Sequence, residues 1–316
     1  MAIFKDYLEN KSPLILHGAL GTEMESLGYD ISGKLWSAKY LLERPEVIQK
    51  IHETYVAAGS DLITTSSYQA TLPGLIDSGL TKEESEQIIA STVQLAKNAR
   101  DKVWTVLDEA EKANRPYPLI SGDVGPYAAY LANGSEYTGD YGQITIEALK
   151  EFHRPRIQIL LDHGVDLLAL ETIPNHLEAQ ALIELLAEEF PEAEAYISFT
   201  VQEPGTVSDG TSLDEIAQLV SQSDQILALG INCSSPLLYN QALTILKNAG
   251  KALITYPNSG EVYDGSTQTW KPKDKDALTL VEHSKDWHAQ FGVKILGGCC
   301  CTRPNDIKAL YTEFRT

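Results

Sequence analysis

Basic residues are in short supply in this chain of 316 residues: 25 Lys and Arg stand against 44 Asp and Glu, a formal net charge of −19 at pH 7. That deficit argues against nucleic acid or an anionic membrane as partner, because both require clustered positive charge. Long hydrophobic runs are missing too, and no stretch reaches the roughly 18 apolar residues of a transmembrane candidate. The opening segment, MAIFKDYLENKSP, lacks the apolar centre of a signal peptide. Also absent are a Gly-rich phosphate loop and a Gly-x-Ser-x-Gly elbow. Cysteine is sparse, four in all, which excludes a small disulfide-stapled scaffold. The expectation is a cytoplasmic protein that acts on small molecules.

What is present is ordinary globular composition, 43% hydrophobic and 22% charged. Eight apolar, β-branched runs recur at fairly even intervals: Leu14–Leu20, Leu62–Tyr68, Leu119–Val124, Leu167–Ile173, Tyr196–Val201, Ile226–Cys233, Ala252–Tyr256 and Lys294–Leu296. Most are continuously apolar, as strands covered on both faces should be. Helical patterns fill the gaps. Pro45–Ala58 stripes Val47, Ile48, Ile51 and Tyr55 on one face and stops at Gly59. Thr81 with Glu84, Asn175 with Glu178 and Ser212 with Glu215 carry helix-start spacing. Eight strand–helix alternations predict an α/β fold, a single-domain (β/α)₈ TIM barrel, with an open doubly wound sheet as runner-up. The long segments Gly125–Gly142, Gln202–Ser212 and Asn258–Asp274 follow strands. In a barrel they line the C-terminal rim, where active sites sit.

Three of the four cysteines are consecutive, Cys299, Cys300 and Cys301, at the end of the eighth run; Cys233 ends the sixth. Barrel closure puts both strand ends on one rim, so these sulfurs can converge on a soft metal. Zinc takes thiolates at about 2.3 Å, and a catalytic zinc has three protein ligands and an open position. Competing readings are buried small hydrophobes, a disulfide, or a closed structural zinc site. Strand alternation alone pairs Cys299 with Cys301, whereas Cys299 with Cys300 needs a bend.

Seven blocks at strand ends give a more specific signal. They are Gly18-Ala-Leu-Gly-Thr-Glu23, Thr64-Thr-Ser-Ser-Tyr-Gln-Ala70, Gly122-Asp-Val-Gly-Pro126, Glu171-Thr-Ile-Pro174, Gly230-Ile-Asn-Cys233, Tyr256-Pro-Asn-Ser-Gly-Glu261 and Gly297-Gly-Cys-Cys300. In this order the chain resembles the homocysteine S-methyltransferase family over essentially its whole length. The resemblance implies one homocysteine-binding barrel domain over residues 1–316, with zinc held by Cys233, Cys299 and Cys300. It also implies methyl transfer to homocysteine, giving methionine. The substrates expected are homocysteine and a sulfonium donor, S-methylmethionine first and S-adenosylmethionine second. Alternatives are a zinc metallohydrolase, which would favour His or carboxylate ligands, and a non-catalytic zinc-stabilised barrel.

No general base is expected, because the nucleophile is a substrate thiolate activated at the metal. Glu171 is the candidate for the substrate ammonium. Asn232 is expected to support the ligand sphere, Tyr68 to pack near a cationic donor, with Tyr127 and Tyr256 as weaker choices, and Glu23 to help hold a cation. The family usually carries aspartate where this chain has His17. An imidazole there removes an attraction for the substrate ammonium, and repels it if protonated, which predicts weaker homocysteine binding. Cys301, where relatives usually lack cysteine, has no assigned role.

Overall fold

The computed structural model describes residues 3–33, 35–260, 262–264, 269–271 and 278–315. Strand and helix alternate through β1 (Leu14–Ile15), β2 (Leu62–Thr64), β3 (Leu119–Val124), β4 (Leu167–Ile173), β5 (Ala195–Phe199), β6 (Ile226–Asn232) and β7 (Ala252–Tyr256). A separate antiparallel pair follows, β8 (Val262–Asp264) and β9 (Thr269–Lys271), before β10 (Ile295–Leu296). The main sheet runs β1-β10-β7-β6-β5-β4-β3-β2 with every neighbour parallel. A parallel bridge from Leu16 to Leu62 joins its two ends. The architecture is therefore the (β/α)₈ barrel, and the open doubly wound sheet is ruled out by that closure.

Three runs match their strands, namely β3, β4 and β7, while β5 starts one residue earlier and ends two earlier than its run and β6 ends one residue earlier. The first, second and eighth runs shrink to short strands. Past the first strand the chain takes loop partners, Ala19 N–H donating to Thr302 O at 3.3 Å, while past the second Thr65 N–H still donates to Ser121 O of β3 at 2.9 Å. Burial outlasts strand pairing here: Thr65, Ser66 and Ser67 are buried beyond the end of β2, while Ala19 and Leu20 are half-buried.

Alternation along each strand sorts side chains between two layers. Leu14, Leu16, Leu62, Leu119, Leu167, Ala169, Tyr196, Ala228, Ile254 and Ile295 fill the barrel interior. Ile15, Leu168, Leu170, Ile197, Leu229 and Ile231 face the helices. Continuing the inward register places Asp123 on β3 and Glu171 on β4 inside the barrel at its C-terminal end. Gly230 is needed on β6, because a Cβ there would lie 1.7 Å from the Ile254 carbonyl oxygen.

The helix signals hold. Helix Pro45–Ala58 ends at Gly59 in the left-handed region, φ 113°. Full capping boxes at Thr81 and Ser212 open helices Lys82–Val106 and Leu213–Ser221, each cap contributing about 1 kcal/mol. Asn175 accepts the Glu178 N–H, but the Glu178 carboxylate turns inward to His153 and Tyr141 instead of closing a box. Of the predicted rim loops, Asn258–Asp274 falls partly outside the described residues. No helix among the described residues is long and apolar enough to cross a membrane.

Candidate metal centre and active site

Cys233 follows β6 directly, and its N–H donates to Tyr256 O at the end of β7. The Cys299 N–H donates to Pro257 O at 2.7 Å, and Cys300 O accepts from Ser259 N–H at 3.0 Å. The chain then turns: Thr302 N–H returns to Cys299 O, the Thr302 hydroxyl donates to the same oxygen, and Cys301 takes φ 64°. This turn supplies the bend that lets adjacent Cys299 and Cys300 face one side. Gly298 permits it, since a Cβ there would meet Thr302 Oγ1 at 2.4 Å.

The sulfurs of Cys233, Cys299 and Cys300 all lie within 4.8 Å of one another, the sole such group of potential metal ligands among the described residues. Cys233 Sγ and Cys300 Sγ are 3.7 Å apart. Ligands at about 2.3 Å from a tetrahedral zinc would be about 3.8 Å apart, whereas a disulfide needs about 2.05 Å. The donor set fits a soft metal, and all four cysteines are free thiols. Cys233 and Cys300 are held well above the usual thiol range, first by a hydrogen bond from within the cluster (Cys299 and Cys233 respectively) and also by burial. Cys301 stands outside the three-sulfur group, its N–H donating to Thr22 Oγ1 at 2.9 Å.

Glu171 is half-buried and accepts from the Tyr256 hydroxyl at 3.2 Å; that hydroxyl also contacts Ser198 Oγ. Burial pushes the Glu171 carboxyl up, against the Tyr256 hydrogen bond. Its charge is felt at Cys233 and Cys299. The β4–β5 register slips between Leu170 and Ile173, so one extra β4 residue bulges there. Thr172, beside Glu171, has φ 64°, and Cys233 has φ 47°. Both sit in the left-handed region, which a β-branched residue rarely enters.

Asn232, the residue before Cys233, clamps Thr172. Its Oδ1 accepts the Thr172 N–H at 3.0 Å and its Nδ2 donates to Thr172 Oγ1 at 2.7 Å. The side chain is fully buried, so it positions Glu171 and Cys233 through the backbone. Tyr68 is half-buried against Gly125, where a Cβ would meet its ring at 2.6 Å, and its phenol is raised by burial with Glu136 and Cys233 nearby. Tyr127 instead belongs to an aromatic cluster with Tyr130, Tyr141 and Phe152.

His17 lies against Tyr55, ring centroids 5.8 Å apart, and its Nδ1 is bonded to Gly18 O. Burial pulls its pKa down to about 4, so the ring is neutral at pH 7, with Nε2 unpartnered. It therefore offers an ammonium neither repulsion nor a carboxylate. Glu23 is half-buried on the short helix Gly21–Ser26, raised by burial and countered by Arg303.

Sequence reasoning passed over several groups here. Arg156 donates to Ser67 O at 3.2 Å and Tyr68 O at 3.1 Å, and also to Gly125 O, tying the loops after β2 and β3 together. Tyr137, in the loop after β3, is 39% exposed, and its phenol is raised by burial with the sulfurs of Cys233 and Cys300 nearby. Asp123 was visible only as part of a block. The available signal was an Asp at an inward position of a strand covered on both faces.

A family model described as homocysteine S-methyltransferase matches residues 14–314. The chain is 44% identical to homocysteine S-methyltransferase YbgG of Bacillus subtilis, over 96% of this chain and 95% of that one. It is 42% identical to the homocysteine S-methyltransferase of Escherichia coli, over 96% of each. The crystal structure of the homocysteine methyltransferase MmuM from Escherichia coli in its metallated form superposes with a TM-score of 0.85 at 40% identity, covering 98% of this chain and 99% of that one.

Proposed function

This chain belongs to the homocysteine S-methyltransferase family and transfers a methyl group to homocysteine; on that premise we propose that Cys233, Cys299 and Cys300 hold zinc and that the donor is a sulfonium. S-Methylmethionine is the first choice of donor and S-adenosylmethionine the second. The observation that carries the reading is the three-sulfur group at the C-terminal rim, spaced for a tetrahedral metal. An all-thiol donor set suits a thiol substrate better than water activation by a hydrolase. Grouped thiols also favour a reducing, cytoplasmic setting.

Bound zinc would lower the proton affinity of the substrate thiol, supplying a thiolate near neutral pH. The remaining work is positional. Glu171 accepts the homocysteine ammonium, and Tyr256 holds that carboxylate in place. Asn232 fixes the backbone on which both Glu171 and Cys233 are mounted. Tyr68 and Tyr137 wall the space where the donor approaches and limit water there. Glu23 adds negative charge for a cation at the rim. Methyl transfer forms the homocysteine S–CH₃ bond and breaks the donor's C–S⁺ bond. The bonding pair stays on the donor sulfur, which leaves as a neutral thioether. No proton moves in that step, so geometry matters more than acid–base catalysis.

The test is a methyl-transfer assay with homocysteine and each sulfonium in parallel, with metal content measured on the same sample. Methionine formation that needs stoichiometric zinc and one of the sulfoniums supports the reading. Turnover at full rate by metal-free protein overturns the metal assignment, and turnover from neither sulfonium overturns the donor assignment.

A further inference from the structure

We propose that Asp123 is a second acceptor for the homocysteine ammonium, forming with Glu171 a two-carboxylate seat inside the barrel mouth. The inference deepens the reading of the site given above and rests on it.

Asp123 is 4% exposed, on the inward face of β3 across from β4. Its backbone is fixed on both sides, with N–H donating to Thr65 Oγ1 at 2.9 Å and O accepting from Ser67 Oγ at 2.8 Å. Its carboxylate is not. Oδ1 is completely buried and has no hydrogen-bond partner. Arg156 is the cation that bears on it, but the hydrogen bonds of that guanidinium go to Ser67 O, Tyr68 O, Gly125 O and His153 Nδ1. A buried carboxylate without donors is costly, and a protein tolerates one where a ligand completes it.

The neighbour of Asp123 is the other half of the inference. Burial raises the Asp123 carboxyl well above the usual range, the Glu171 charge raises it further, and Arg156 partly opposes both. Two carboxylates facing one space call for a cation that also brings hydrogen-bond donors. An ammonium has three N–H donors; a sulfonium centre has none and by itself leaves Oδ1 unsatisfied. The cation therefore belongs to an amino group. Homocysteine brings one within about 5 Å of its sulfur by ordinary bond lengths, and Asp123 pairs with Ala169, so Glu171 follows on the same inward face of the adjacent strand at the C-terminal end of the barrel. With its sulfur at the three cysteines, the amino end of homocysteine points into this seat.

The experiment compares homocysteine with 4-mercaptobutyrate, which keeps the thiol and carboxylate and lacks the amine. Wild type, Asp123→Asn and Asp123→Ser are assayed with metal content and circular dichroism checked for each. The seat predicts that the preference for homocysteine in kcat/KM falls by about 10–100-fold in both variants. The fall should come from the homocysteine KM, with the 4-mercaptobutyrate kcat/KM and the donor KM within about twofold of wild type. An unchanged preference in folded variants overturns the seat. An equal loss for both thiols, or failure of both variants to fold, makes Asp123 a structural carboxylate and also overturns it. Wild type that methylates neither thiol sinks the underlying functional reading, a result distinct from all of these.

Discussion

Replacing Asn232 by alanine should loosen the metal site without touching a ligand. Asn232 is 0% and Thr172 4% exposed, so the lost hydrogen bonds cannot be replaced by bulk water. The Thr172 N–H would be left buried without an acceptor, at a cost of about 1–3 kcal/mol, and the Nδ2–Oγ1 bond removes about 1 kcal/mol more. The expected loss is therefore about 2–4 kcal/mol. For 316 residues the unfolding entropy is about 0.7 kcal/mol/K, so the melting temperature should fall by about 3–6 °C. The left-handed conformations of Thr172 (φ 64°) and Cys233 (φ 47°) each store strain of about 1–3 kcal/mol that the Asn232 clamp helps to contain. Once it is gone both positions can relax, moving Glu171 and the Cys233 sulfur together. Zinc affinity should drop about 10–100-fold, as for other groups that orient a metal ligand. Competitive chelation and thermal melts of the metal-free protein read the two effects separately. Unchanged zinc affinity with a melting temperature within about 1 °C of wild type would refute the clamp.

Three further outcomes follow from the same geometry. Glu171→Gln should raise the homocysteine KM about tenfold or more while moving the donor KM little; an unchanged KM removes Glu171 from ammonium binding. Burial lowers His52 to about 3 and His17 to about 4, from 6.5 in each case. Both rings are thus neutral in the folded protein, so stability is fully present above about pH 6.5 and is lost as pH falls toward 4, by about 3 kcal/mol for His52 alone. His52→Phe should flatten this acid limb in denaturant titrations at stepped pH, and an unaltered slope would show that His52 does not produce it. His17→Asp tests the weaker-binding expectation: restoring a carboxylate should lower the homocysteine KM, and no gain sinks the idea.

The barrel was readable because strands covered on both faces write themselves as apolar runs, and β3, β4 and β7 match theirs. Helix starts at Thr81 and Ser212 were readable because a capping box is local. The cysteine grouping was not readable from strand periodicity, which pairs Cys299 with Cys301. The turn closed by Thr302 on Cys299 O reverses that choice. The β4 bulge at Thr172 was hidden as well, because its partner Asn232 is 60 residues away. The roles of Asp123, Arg156 and Glu178 were hidden for a related reason. Glu178 was read only as a helix-start residue and Asp123 only as one letter of a block, and their partners are brought to them by the fold, Ser67 O to Arg156 across 89 residues and His153 to Glu178 across 25.

The most direct test of the central claim is methyl transfer to homocysteine by one preparation before chelation, after complete metal removal, and after zinc is restored. Cys233→Ala, Cys299→Ala and Cys300→Ala are run beside it. The account predicts zinc bound one per chain, activity lost on removal and regained with zinc, and loss of both zinc and activity in each variant. Activity that survives complete metal removal, or a variant that transfers methyl groups at the wild-type rate, would contradict it.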